Sequence, residues 1–185
     1  MNAQEIIERL LNENPPLHFL TEEDANLLAT YGWKQQTGFI SWAVAPEVIR
    51  YLANIVKSYH MTIETGCGQT TVALAALAKH HICVTCPDPE NIQLTKDYMD
   101  KIGIPRDRVT FVLESSDAAL PKLTPAQMFD VAFIDGCHGY PFPALDWHFI
   151  DLHMKIGGVI GFDNTEIRAV QSHQHSSKKT NLTGW

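Results

Sequence analysis

The sequence predicts an α/β fold: a mostly parallel sheet with helices on both faces. Three observations carry that expectation. From Met61 onward short apolar runs alternate with helix-compatible stretches, with little slack between them, which favours parallel strands joined by crossover helices. The segment Met61-Thr62-Ile63-Glu64-Thr65-Gly66-Cys67-Gly68-Gln69-Thr70-Thr71 leads from an apolar run through a glycine turn into the helix-compatible stretch 72–78. Such strand–turn–helix units cradle nucleotide-like ligands. Polar residues also follow every expected strand, and the carboxyl edge of such a sheet is where ligands bind.

In chain order, Ile6, Ile7, Leu10 and Leu11 recur at helical spacing within residues 3–12, and Pro15-Pro16 stops that helix. Thr21, with Asp24 three residues on, can cap a second helix through Leu27-Leu28. Residues 39–45 form an apolar approach to Pro46, which opens a helix running to about Tyr59 with Val48, Ile49, Leu52, Ile55 and Val56 on one face. These helices are expected to flank the sheet or cover its site. Strands are expected at 61–64, 82–86, 109–113, 130–134 and 158–162, and helices at 70–79, 89–102 and 143–154, with a short helix or turn at 117–120. Right-handed crossovers then fix most of the topology.

With 185 residues, 45% of them hydrophobic, the chain can bury one substantial core. A net charge of -7 and a pI near 5.6 argue against a nucleic-acid partner, which would want clustered Lys and Arg. No apolar run has membrane-spanning length, and the first sixteen residues lack a basic region followed by a continuous apolar one. A soluble, cytoplasmic protein is expected. Cys83 and Cys86 have metal-like spacing, but an offset of three along a strand puts their side chains on opposite faces. Reduced, structural thiols are therefore expected at Cys67, Cys83, Cys86 and Cys137 rather than zinc.

The glycine turn lacks the third glycine of the dinucleotide fingerprint, Thr70 and Thr71 standing there instead, so a ligand without a diphosphate suits it better than NAD. Glu64 at the strand end can accept hydrogen bonds from a ligand or from the turn itself. Asp135, Asp163 and Asn164 follow neighbouring strands and together offer the oxygens a hard divalent cation prefers. Read as local structure, Asp163-Asn164 caps the following segment and Asp135 binds amides of its own turn. His138, in the loop Gly136-Cys137-His138-Gly139-Tyr140, is a candidate base or an ordinary loop histidine. His80-His81 reads as a helix end where a cation suits the dipole, and His173 and His175 lie in a polar tail. Asp146 reads as a helix-surface acid and Trp147 as a core aromatic. Trp33, Trp42, Tyr140 and Phe142 are candidate pocket walls or lid packing.

From about residue 40 to residue 168 the chain resembles the class I S-adenosylmethionine-dependent methyltransferases, whose fold is Rossmann-like. The resemblance rests on five motifs in order: ETGCGQTT, VTCPDPEN, SSDAALPKL, FDVAFIDGCHGY and KIGGVIGFDN. Within that family the chain is most similar to small-molecule O-methyltransferases of the cation-dependent type. The resemblance implies contacts from Glu64, Gly66 and Gly68 to the amino-acid part of the cofactor, from Ser116 or Asp117 to its adenine side, and a further cofactor role for Asp135. It implies a magnesium ion on Asp135, Asp163 and Asn164, and His138 with Asp135 as the catalytic pair acting on a small-molecule hydroxyl.

Two departures accompany it. Cys86 stands where an acid should grip the ribose, with Asp88 two residues on as a substitute, and a thiol is a poor bidentate acceptor. The usual helix and last two strands have no counterpart after the fifth strand, which implies a shortened sheet with an exposed edge open to self-association. The expected organisation is a helical lid at 1–45, a cofactor-binding domain at 46–168 and a polar, disordered tail at 169–185. The competing expectation is a methyltransferase-like domain without turnover that serves as a binding or interaction module.

Overall fold

The computed structural model describes residues 1–30, 37–40, 43–165 and 181–184; the side chains of residues 24, 27, 28, 40 and 181–184 lie outside that description. The pocket-wall candidates Trp33 and Trp42, the histidines His173 and His175, and the domain boundary at residue 168 therefore fall outside the described residues.

The chain opens with α1 (Ala3–Glu13), whose first turn is closed reciprocally: Asn2 Oδ1 accepts from the Glu5 amide and Glu5 Oε2 from the Asn2 amide, both at 2.9 Å. Two short strands, β1 (His18–Leu20) and β2 (Gly38–Ile40), pair antiparallel around α2 (Glu22–Thr30). The N-terminal segment is thus not purely helical. In α2 the Thr21 carbonyl accepts from the Ala25 amide, while the Asp24, Leu27 and Leu28 side chains of the expected cap and helix face lie outside the described residues. Helix α3 (Pro46–Ile55) begins at its proline as expected but ends four residues short of Tyr59.

The main sheet comprises β3 (Met61–Thr65), β4 (His80–Thr85), β5 (Val109–Leu113), β6 (Phe129–Ile134), β7 (Met154–Phe162) and β8 (Asn181–Gly184), in spatial order β5-β4-β3-β6-β7-β8. All neighbours run parallel. The crossovers are α4 (Gln69–Leu77), α5 (Pro89–Ile102), the short α6 (Ser116–Ala119) and α7 (Phe142–Leu152). The five strands and four helices expected from residue 61 onward are all present, with ends displaced by up to four residues. Two corrections arise. His80 and His81 open β4 instead of closing α4. The tail expected to lack regular structure contributes β8, which lies along Val159–Phe162 of β7, so the sheet has a sixth strand on the edge expected to be bare.

Alternation along the parallel strands explains why both faces are dry. Val131 and Phe133 of β6 join a cluster with Ile7, Leu10, Ile49, Leu74 and Met99 from α1, α3, α4 and α5. Ala132 and Ile134 join one with Leu120, Ile150 and Phe162 on the side of α6 and α7. Among the described residues, no helix is long and apolar enough to cross a membrane.

Candidate functional site

The tips of four adjacent strands, β4, β3, β6 and β7, are stapled together by backbone hydrogen bonds. The Gly66 amide donates to the Val84 carbonyl at 2.9 Å, the Asp135 amide to the Thr65 carbonyl at 3.0 Å, and the Asp163 amide to the Ile134 carbonyl at 3.0 Å. These bonds set the glycine turn, the Asp135 loop and the Asp163-Asn164 pair side by side. Gly66 turns at φ 98°, and a Cβ there would lie 2.3 Å from the Asp135 carbonyl oxygen, so the close approach of the two loops requires glycine.

Glu64, at the end of β3, is fully buried. Its Oε1 accepts from the Thr71 hydroxyl of α4 and lies 3.1 Å from His81 Nε2, while its buried Oε2 meets no donor among the described residues. Thr71 in turn accepts from the Gly68 amide at 2.9 Å, which ties the turn to the carboxylate. Residues preceding β2 close over this turn: Gln69 Nε2 donates to Asn14 Oδ1 at 2.9 Å and to the Pro15 carbonyl at 3.1 Å, and the His18 ring approaches Gly68. Burial pushes the His18 imidazole's pKa down, with Asp88 and the Cys67 backbone opposing.

Asp135, His138, Asp163 and Asn164 converge. Asn164 Nδ2 donates to Asp163 Oδ2 at 2.7 Å and to His138 Nε2 at 3.0 Å, and His138 Nε2 lies 3.8 Å from Asp135 Oδ1. Burial, together with the negative charges of Asp163 and Glu64, holds the Asp135 carboxyl well above the usual carboxylate range. Its carboxyl thus lies close enough to Asp163 and Glu64 to feel their charge. Two crowded carboxylates and an amide match a divalent cation in charge and donor type. Among the described residues, however, no three His, Cys, Asp or Glu side chains group as a metal site.

The remaining candidates sit nearby with other partners. Asp88 caps α5, its two oxygens accepting from the Asn91 amide at 3.2 Å and from Asn91 Nδ2 at 2.6 Å, and Cys86 beside it is exposed. Ser116 and Asp117 form the first turn of α6, after Ser115. Cys83 is buried, its thiol donating to the Gly66 carbonyl at 3.1 Å, so Cys83 and Cys86 do face different surroundings. Tyr140, read as a pocket wall, is largely exposed.

Three residues at the site escaped the sequence reading. His81 looked like a helix end, yet it pairs in register with Thr62 as Cys83 does with Glu64, so all four share one face. His18 lies in a strand of only three residues. Asp146, read as a surface acid, is fully buried on α7 against Gly136 and Thr65, and neither of its oxygens completes a hydrogen bond among the described residues.

Comparison with known proteins matches this architecture. An O-methyltransferase from Bacillus cereus in complex with S-adenosylhomocysteine superposes with a TM-score of 0.61 at 19% identity, over 94% of this chain and 72% of that one. A precorrin 8W decarboxylase from Methanobacterium thermoautotrophicum gives 0.52 at 26% identity, over 63% of this chain and 61% of that one. An rRNA methylase from Streptococcus thermophilus gives 0.51 at 16% identity, over 60% and 65%. The chain thus spans less than two thirds of the length of the last two proteins. No curated protein matches it in sequence. Residues 63–165, which carry the glycine turn, the Asp135 loop and the Asp163-Asn164 pair, match the family model described as a methyltransferase domain; the chain belongs to that family, within the class I S-adenosylmethionine-dependent methyltransferases.

Proposed function

We propose that the protein transfers the methyl group of S-adenosylmethionine to a hydroxyl of a small molecule. The observation that carries this reading is the convergence of Asp135, His138, Asp163 and Asn164 beside the glycine turn. The likeness to the Bacillus cereus O-methyltransferase over 94% of the chain supports it.

The residues fit the cofactor. Gly66 lets the Asp135 loop close against the turn, and among the described residues Glu64 Oε2 is a buried acceptor without a donor, which suits the cofactor's ammonium group. In this reading Gly68 would offer backbone beside it, and Ser116 or Asp117 would meet the adenine side. When bound, S-adenosylmethionine supplies an electrophilic methyl carbon. Its sulfur would keep the electron pair of the broken carbon–sulfur bond, so the methyl group would pass to the acceptor oxygen and S-adenosylhomocysteine would leave. In this reading His138 would take the hydroxyl proton once the acceptor displaces Asn164 Nδ2 from its Nε2, and Asp135 would orient the acceptor. Holding oxygen and methyl in line accounts for roughly 7–11 kcal/mol of barrier in well-oriented reactions. Asp135, Asp163 and Asn164 would hold a magnesium ion, which lowers the pKa of a hydroxyl it binds.

A second reading, a domain that binds the cofactor without turnover, is favoured by one observation: among the described residues the ribose edge offers exposed Cys86 and an Asp88 already engaged by Asn91. Calorimetric titration with S-adenosylhomocysteine should give heat and a raised thermal midpoint; neither response at millimolar ligand would end both readings. Methyl transfer to a panel of small hydroxyl compounds separates the two. Under the first reading, chelation or Asp135→Ala abolishes transfer while S-adenosylhomocysteine still binds. Transfer that survives both treatments removes the cation.

A further inference from the structure

We propose that His81 is a positioning residue for the cofactor: it fixes the Glu64 carboxylate so that one oxygen is taken up by the protein and the other is presented to the ammonium group of S-adenosylmethionine. This rests on the cofactor reading given above.

His81, Thr62, Glu64 and Thr71 are all fully buried and form one hydrogen-bonded chain across β3, β4 and α4. A carboxylate can only accept, so His81 Nε2 is the donor to Glu64 Oε1 at 3.1 Å, and Thr62 Oγ1, 2.9 Å from Nδ1, holds the other side of the ring. Together with the Thr71 hydroxyl, this places two donors on Oε1 and, among the described residues, none on Oε2. A buried carboxylate oxygen without a donor is costly, and a cationic ligand group arriving at the glycine turn removes that cost. No Lys or Arg pairs with Glu64 among the described residues. The asymmetry is not demanded by packing, since the same strand positions would hold an apolar pair with no unsatisfied oxygen. It is a carboxylate oriented by its neighbours towards a partner that comes and goes, as outer hydrogen bonds orient ligands in other sites.

The test compares two ligands. S-adenosylhomocysteine carries the amino-acid end; 5′-methylthioadenosine lacks it but shares the adenosine and the sulfur. Calorimetry on folded His81→Leu protein should show S-adenosylhomocysteine weakened roughly 10- to 100-fold, the range of a hydrogen bond to a charged group, with 5′-methylthioadenosine unchanged. His81→Gln, whose amide can donate to the same oxygen, should restore most of the loss. Should His81→Leu fail to fold, Thr62→Val carries the test, because it frees the ring while leaving the donor present; it too should weaken only the ligand with the amino-acid end. Equal weakening of both ligands would show a merely structural role and overturn the proposal, as would unchanged affinity for S-adenosylhomocysteine. A wild-type protein that binds neither ligand overturns the cofactor reading itself, an outcome distinct from the other two.

Discussion

At the scale of single residues, Asp146 makes the sharpest statement about stability. Burial pushes its carboxyl up to about 6, with the nearby Ser116 and Thr65 hydroxyls opposing and Asp117 adding to the rise. An acid whose folded value exceeds its unfolded one favours the fold while protonated, so its contribution is complete below about pH 4 and is lost as the pH rises through about 6. The gap from an ordinary aspartate corresponds to about 3 kcal/mol between those limits. Asp146→Asn keeps the shape and removes the charge. We expect it to unfold like the wild type at pH 4.5 and to be more stable by about 1–3 kcal/mol at pH 8, or several degrees in midpoint for a chain of this size. Thermal melts at the two pH values check this, and a gain from Asp146→Asn equal at both would show that the carboxylate's charge is not the cause. The residue was illegible in the sequence because α7, Phe142–Leu152, is apolar nearly all round, and such a helix has no polar face from which to read an outward direction. His81 was hidden for a related reason: its meaning depends on the β3–β4 register, which pairs it with Thr62, and register is not local information.

At the scale of elements, β7 shows how a strand delivers a site. Its pairing with β6 runs Phe129 to Met154 and then Val131 to Val159, so the intervening stretch of β7 is bulged. Gly157 takes φ 84° there, and a Cβ on Gly158 would meet the Asp130 and Lys155 carbonyl oxygens at 3.0 Å and Met154 Cε at 2.8 Å. Met154 can move aside; the two carbonyls are backbone and move only with their strands. Beyond the bulge the register puts Phe162 against Ile134 and hence Asp163 beside Asp135. Gly158→Ala should therefore cost about 1–3 kcal/mol as overpacking against rigid backbone, read as a lowered urea midpoint, and should reduce methyl transfer more than S-adenosylhomocysteine binding. An unchanged midpoint would show that the bulge can give way. The strands themselves were legible because each is an apolar run closed by polar residues, and β5 and α5 fall where the pattern puts them. The β1–β2 pair was not, since three residues a side give no measurable alternation. The glycine turn was legible for its composition, but its closeness to the Asp135 carbonyl exists only once β3 and β6 are adjacent.

At the scale of the whole molecule, the two edges of the sheet differ. One edge is β5, whose Leu113 is half exposed. The other is β8, four residues whose backbone runs parallel to Val159–Phe162. Its sequence, Asn181-Leu182-Thr183-Gly184, carries no strand pattern of its own, so the pairing has to come from what β7 offers: a buried strand with a row of backbone groups in need of partners. The expected bare edge and the observed β8 are thus two states of one physical problem, covered or uncovered. A chain ending at residue 180 converts the second into the first. Each ladder hydrogen bond contributes about 0.5–1.5 kcal/mol net, so the shortened chain should unfold several degrees lower. Its uncovered β7 should find another copy, giving a dimer or larger species in sedimentation velocity that grows with protein concentration. S-adenosylhomocysteine affinity should hold, because the glycine turn, Glu64 and the loop after β6 lie on strands that β8 does not touch. A shortened chain with the full-length midpoint, monomeric at every concentration, would show that β8 adds nothing to the sheet. If affinity were lost together with stability, the β7 edge would be coupled to the cofactor turn two strands away, and the site would depend on the completeness of the whole sheet rather than on its four stapled tips.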